Sequence, residues 1–274
     1  MIDTSDENSS IPPIGMGTFR LKGDDAYNAV STALELGYRH IDTAQIYGNE
    51  QDVGRAIADS GVPRSELFVT TKIWTDNFTQ DKLIPSLRES LDKLQLDQVD
   101  MTLIHWPSPG GKVPMQEYLG ELMKAREQGM TRLTGVSNFT IDQLQEACEL
   151  VGLDNIATNQ VEIHPFLQNR KMVEFAREEG LHLTAYMPLA VGKVMKDKTL
   201  DRIAEEHGAT PPQVVMAWLM LQGITVIPSS TKRLHLESNL EADRVQLTAD
   251  DLHFIRELDA GERIADPDFA PEWD

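Results

Sequence analysis

Several things are nearly absent from this chain of 274 residues, and each absence removes a class of protein. There is one cysteine, Cys148, so no internal disulfide can form. It falls in line with Ile141, Leu144 and Val151 at helical spacing, where a small buried hydrophobe is expected. No apolar run approaches the ~20 residues of a membrane-spanning helix. Met1 to Ser10 is polar and acidic, with neither the basic stretch nor the apolar core of a secretion signal, and is expected to be a mobile N-terminus. Positive charge is scarce: 25 Lys and Arg stand against 44 Asp and Glu, a net charge of -19. A nucleic-acid partner would need a basic stripe, which this composition argues against. The histidines never cluster at metal-ligand spacing; Glu162 and His164 share a strand end without the His-Glu-x-x-His pattern, so no metal is expected. A cytoplasmic protein with no membrane or nucleic-acid partner is expected, and it is read as a monomer. Its acidity reads either as an ordinary surface or as adaptation to a salt-rich cytoplasm, where screening suppresses self-repulsion.

With 41% hydrophobic residues, the chain can bury a large core. It repeats one grammar. A helix over Asp24–Leu36 stops at Gly37 and a strand ends at Asp42. A helix from Asn49 to Ser60 stops at Gly61, and the strand Leu67–Lys72 follows. Leu83, Leu87, Leu91 and Leu94 line one face of the next helix, before a strand ending at His105. A helix from Met115 to Gln128 leads to the strand Leu133–Ser137. Thr140 to Gln143 has capping-box spacing, and Gly152 precedes the strand Thr158–Glu162. Arg170–Glu179 is helical before Leu181–Tyr186, and Thr210-Pro211 opens a helix before the last strand, Ile224–Ile227. Leu236–Glu241 and a segment capped by Thr248 are further helices. Counting Ile14–Phe19, there are eight strands, short and apolar, as parallel sheets covered on both faces require. Eight parallel β/α units close into a (β/α)8 TIM barrel, here a single domain over 1–274. A doubly wound open sheet is less favoured, because no Gly-x-Gly-x-x-Gly follows a strand. Gly110-Gly111-Lys112 is not a phosphate loop either, since Trp106 stands where its first glycine belongs.

The polar residues fall at the ends of these strands: Asp42, Lys72, His105, Ser137-Asn138, Gln160, Tyr186 and Ser229-Ser230. In a β/α barrel such ends share one face, where active sites are built. Singly, each has a plain structural role open to it: Asp42 a loop cap, Lys72 a solvated strand end, His105 a satisfied core histidine. Together on consecutive strands, with Tyr47 five residues past Asp42, they suit proton transfer to a carbonyl oxygen. A lysine held by Asp42 is expected to lower the pKa of the Tyr47 phenol, making it a general acid. His105 can donate a hydrogen bond to the same oxygen, and Phe19, Trp74 and Trp106 can wall the substrate pocket. Asn49 is expected to cap the helix that follows.

These residues lie within segments that resemble the aldo-keto reductases along essentially the whole chain. The segments are Gly15-Met16-Gly17-Thr18-Phe19, Tyr38 to Ala44 with Tyr47-Gly48-Asn49-Glu50, Val69 to Trp74, Leu103 to Pro107, Gly135 to Phe139, Asn159 to Glu162, and Ala185-Tyr186 with Pro188-Leu189. The short prokaryotic members, among them the 2,5-diketo-D-gluconate reductases, are most similar. The resemblance implies a (β/α)8 barrel with an N-terminal hairpin and an extra C-terminal helix. It implies NAD(P)H-dependent reduction of a small-molecule aldehyde or ketone, with Asp42, Tyr47, Lys72 and His105 catalytic and Tyr47 the proton donor. It further implies that Ser137, Asn138 and Gln160 bond the nicotinamide amide, that Tyr186 stacks on its ring, and that Pro188, Leu189, Ser229, Ser230, His235 and Asn239 complete the cofactor site.

Some positions depart from the family pattern. Met187 replaces a usual serine, the loop Leu189 to Lys198 is short, and so is the tail after Gly261. NADPH-preferring relatives usually carry lysine where Ser229 stands and arginine where His235 stands. Two cation contacts to the 2′-phosphate are therefore missing, and NADH is expected to serve at least comparably with NADPH. Lys232 and Arg233 are the residues able to replace those contacts. Two other readings stand beside the reductase: a non-catalytic nucleotide-binding protein on the same fold, as in a channel-associated subunit or a lens protein, and a barrel hydrolase using Asp42 and His105.

Overall fold

The structure is a computed structural model and describes residues 11–274. Eight strands lie in chain order in one sheet: β1 (Met16–Gly17), β2 (His40–Asp42), β3 (Phe68–Ile73), β4 (Val99–Ile104), β5 (Thr131–Ser137), β6 (Asn159–Glu162), β7 (Leu183–Tyr186) and β8 (Thr225–Val226). Each neighbouring pair is parallel. Ile14 and Val226 add a parallel bridge. Around it the Gly15 amide donates to Val226 O at 2.8 Å and the Gly17 amide to Pro228 O at 2.9 Å, so the last strand is bonded to the first. This contact explains two glycines. A Cβ on Gly17 would sit 2.6 Å from Ile227 O, and one on Gly15 2.7 Å from the His40 ring, so the glycines admit a close strand approach.

The helices are α1 (Gly23–Leu36), α2 (Glu50–Asp59), α3 (Leu83–Leu94), α4 (Met115–Glu127), α5 (Ile141–Val151), α6 (Arg170–Glu179), α7 (Lys198–Glu206), α8 (Pro211–Met220), α9 (Arg233–Leu240) and α10 (Ala249–Arg256). Thr140, Thr210 and Thr248 each accept the amide three residues on, and Gln143, Gln213 and Asp251 return the bond to the cap amide. α7 is not among the helices expected from the sequence, because its apolar positions are few among charged residues. Its start is set by Asp197, whose carboxylate accepts the Thr199 and Leu200 amides at 2.9 and 3.0 Å, and it buries Leu200, Ile203 and Ala204. Cys148 is half-buried rather than buried, because Leu144 and Ala147 are the α5 residues turned fully inward.

The main apolar core lies where the inward faces of the helices meet the strands. Part of the interior is polar. Thr158 and Thr184 share a hydroxyl contact of 3.0 Å, His182 bonds Thr158 and Thr225 at 3.0 and 3.2 Å, and the His40 ring reaches Thr70 at 3.2 Å. Among the described residues, no helix is long and apolar enough to cross a membrane. The N-terminal hairpin and the mobility of Met1 to Ser10, both expected from the sequence, lie outside the described residues.

Candidate active site

Asp42 closes β2 and Lys72 lies near the end of β3, where parallel register sets Asp42 beside Thr70. The two side chains are buried, 1% and 0% exposed, and form an ion pair. A buried carboxylate is costly unless both oxygens find partners. The second oxygen of Asp42 accepts Gln160 Nε2 at 2.8 Å, from a residue 118 positions on. Lys72 Nζ also donates to Thr43 O at 2.9 Å and to the Tyr47 hydroxyl at 3.3 Å. Tyr47 ends a short 3-10 turn, Gln45–Tyr47, and Gly48 with φ of 64° reverses the chain behind it. The turn is fixed by Gln45, whose amide group bonds Trp74 N, Asn77, Ser86 and Ser90.

Asn49 sits at the N-cap of α2, but its side chain does not cap the helix. It donates to Thr18 O and Leu21 O, each at 2.9 Å, and accepts from Thr43 Oγ1 at 2.7 Å. The expected cap is thus overturned by a stronger demand: two carbonyls of the β1 loop need donors, and the Asn49 amide supplies both while its oxygen accepts from Thr43. This bond set joins the loop carrying Phe19 to the loop carrying Tyr47.

His105 follows β4. Its ring meets Tyr47 edge to face at 5.7 Å and Trp74 at 5.3 Å, and Phe19 lies 5.2 Å from Tyr47. Burial, reinforced by the Lys72 charge, holds the His105 pKa well below its ordinary value, so the ring is neutral at pH 7. Its Nδ1 is buried without a hydrogen-bond partner. A stranded donor costs more than a stranded acceptor, which places the proton on Nε2. The Tyr47 phenol departs from expectation. Burial first, and the Asp42 carboxylate second, raise its pKa well above the ordinary phenol value. The Lys72 ammonium, already paired with Asp42, does not outweigh these two effects. The phenol is therefore protonated in the resting site.

Ser137, Asn138, Gln160 and Tyr186 lie in or just after the next three strands and are bonded together. Ser137 Oγ donates to Gln160 O at 2.7 Å, and Asn138 Nδ2 donates to His105 O at 3.0 Å. The Tyr186 hydroxyl donates to Asn138 Oδ1 at 2.7 Å. One cavity of about 1220 Å³ runs from Asp42, Tyr47 and His105 past this group, along Pro188 and Leu189, to Ser229, Ser230, His235 and Asn239. Phe19, Trp74 and Trp106 line it as well. Lys72 alone of the expected site residues lies beneath the lining. Its length and its polar groups at both ends suit a dinucleotide together with a small substrate.

The opposite wall comes from the C-terminal tail, which carries no motif or periodicity in the sequence. Ile264, Ala265, Asp266, Pro267 and Phe269 line the cavity, and Phe269 meets Trp106 at 5.5 Å and Trp74 at 5.9 Å, both edge to face. Met187, with φ of 48°, also lines it, as do Val191 and Gly192. Among the described residues no group of His, Cys, Asp and Glu is arranged to hold a metal.

Residues 13–260 match the model of the aldo/keto reductase family. The chain is 57% identical over 266 residues to methylglyoxal reductase DkgB of Escherichia coli O157:H7, covering 97% of this chain and all of that protein. It is 42% identical over 260 residues to an aldo-keto reductase of Mycolicibacterium vanbaalenii, covering 94% of this chain and 92% of the other. Among solved structures, one assigned as a candidate 2,5-diketo-D-gluconic acid reductase B superposes with a TM-score of 0.93 at 44% identity, covering 98% and 96% of the two chains. The aldose reductase of Schistosoma japonicum gives 0.88 at 32% identity over 93% and 90%. The chain belongs to the aldo/keto reductase family, and with it to the oxidoreductases that reduce carbonyl compounds.

Proposed function

We propose that this protein reduces small aldehydes and ketones, methylglyoxal among them, with Tyr47 as the proton donor. The observation that carries this reading is the Lys72 ammonium buried beneath the cavity and bonded at once to Asp42, Thr43 O and the Tyr47 hydroxyl. A nicotinamide nucleotide, when bound, supplies the hydride. As the substrate carbonyl oxygen gains charge, Tyr47 gives it the phenolic proton, and Lys72 stabilises the phenolate left behind. The neutral His105 directs Nε2–H to the same oxygen. Ser137, Asn138 and Gln160 offer amide and hydroxyl groups to the nicotinamide amide, with Tyr186 against its ring. Pro188, Leu189, Ser229, Ser230, His235 and Asn239 follow the rest of the cofactor.

NADH is proposed to serve at least comparably with NADPH. Ser229 and His235 supply no fixed cation, and the Arg233 guanidinium is drawn to Glu35 on α1 at 2.8 Å. Lys232 lines the cavity and is the one candidate left among the residues that follow β8. The protein is further read as a single-domain, cytoplasmic monomer with no nucleic-acid or membrane partner. Its acidity is read either as an ordinary surface or as adaptation to high salt, and α10 as the additional helix of the barrel.

Steady-state reduction of methylglyoxal and an aromatic aldehyde, with each nucleotide, tests the reading. Turnover is expected with both nucleotides; nucleotide binding without turnover would instead support a non-catalytic binding protein. Wild-type kcat/KM favouring NADPH by more than about a hundredfold, some 2.7 kcal/mol, would show that Lys232 grips the 2′-phosphate. Ser229→Lys with His235→Arg is expected to shift preference toward NADPH.

A further inference from the structure

We propose that Glu162 is a positioning residue that clamps the C-terminal segment over the cavity and so holds Phe269 in the substrate wall; this rests on the carbonyl-reductase reading above. Glu162 closes β6 and is fully buried, and the proton and hydride chemistry makes no use of it. Its oxygens are satisfied by a distant part of the chain. Oε1 accepts the Ile264 amide at 2.8 Å and Oε2 the Ala265 amide at 2.7 Å, from 102 and 103 positions away. His164 Nε2 lies 2.8 Å from Oε1. The His164 Nδ1 is buried without a partner, so the ring proton belongs on Nε2, facing the carboxylate.

Residues 262–267 form no helix or strand, so these two bonds stand in for a ladder. Neighbouring contacts continue the line: the Arg263 guanidinium sits 3.7 Å from the Trp273 ring centre, and Trp273 Nε1 donates to Asp266 at 2.9 Å. Three donors converge on Glu162, and only a carboxylate accepts them all. A glutamine in its place has one acceptor oxygen and points N–H groups at an amide that is itself a donor. The clamp's effect on substrate is local. Phe269 stands one ring beyond the reacting groups, since His105 meets Trp74 at 5.3 Å and Trp74 meets Phe269 at 5.9 Å. A three-carbon oxoaldehyde reacting at Tyr47 stops short of Phe269, whereas an oxoaldehyde bearing an aryl group reaches it.

The test compares methylglyoxal and phenylglyoxal in Glu162→Gln, Ala265→Pro, Phe269→Ala and the Glu162→Gln/Phe269→Ala double variant, at saturating NADPH. Loss of a bond to a charged group predicts that KM for phenylglyoxal rises about tenfold in the first two variants, with methylglyoxal changed less than about twofold. Nucleotide affinity, read by tryptophan fluorescence, should not change. The double variant should be no worse than Phe269→Ala alone, and the Ile264 and Ala265 amides should exchange hydrogen faster in Glu162→Gln. Equal KM changes for the two aldehydes, multiplicative effects in the double variant, or unchanged exchange would each overturn the clamp. If Glu162→Gln does not fold, Ala265→Pro decides, because it removes one tail donor and leaves the barrel intact. A wild-type protein that reduces neither aldehyde would overturn the functional reading itself.

Discussion

The Lys72 ammonium touches oxygens of Asp42, Thr43 and Tyr47, and two variants separate what those contacts do. Tyr47→Phe removes the proton donor and leaves the charges beneath it paired. It should lower kcat for aldehyde reduction by about 10²–10⁴-fold, the usual worth of a general acid, with nucleotide affinity nearly intact. Lys72→Met strands the Asp42 carboxylate in a buried site, with Gln160 its remaining side-chain donor. Urea denaturation should show a loss of about 3–5 kcal/mol beside the lost turnover. At this scale the sequence was informative where chemistry sits at strand ends, since a polar residue closing an apolar run marks its own place on the barrel. It was silent on pairings that depend on depth. Nothing in the spacing shows that Gln160 reaches Asp42 or that Asn49 abandons its helix for Thr18 and Leu21. The Tyr47 pKa went the other way from expectation because burial and Asp42 outweigh a cation already neutralised.

Strands and helices announce themselves through periodicity, so the barrel order was legible from apolar runs, capping threonines and terminal glycines. The tail that carries Phe269 has neither period nor cap pattern, and α7 has few apolar positions, so both escaped. The polar belt inside the strands has a measurable consequence. Burial lowers the pKa of His40 to about 4, with smaller effects from Asp42 and Lys72, and that of His182 to about 4, with His40 contributing. Both fall below the ~6.5 of an unfolded histidine, so the unfolded chain binds more protons between these values. Stability is then full above about pH 6.5 and falls as pH drops toward about 4, by about 1.4 kcal/mol per pH unit for each histidine. Urea midpoints measured from pH 7 to 5 should decline. In His182→Gln, which keeps hydrogen-bonding capacity toward Thr158 and Thr225, the slope should be shallower. An unchanged slope would mean that carboxylates govern the acid limb.

For the molecule as a whole, a net charge of -19 sets up self-repulsion that salt screens. Melting temperature and activity should both rise between low salt and molar KCl; a flat response would mark the acidity as ordinary. Composition disclosed the sign of this effect and nothing about its size, which depends on how the charges are spaced on the surface. The join between β8 and β1 has a consequence in time. Asp42, Lys72 and His105 come from the first half of the chain, whereas Asn138, Gln160 and Tyr186 come from the second, and neither half holds the cavity alone. Contacts between residues so far apart in sequence form late in folding, because a long loop must close before they yield any stabilisation. During refolding from denaturant, helical signal should therefore return ahead of activity. Activity should return in one phase together with ring closure, with no half-formed barrel showing partial turnover.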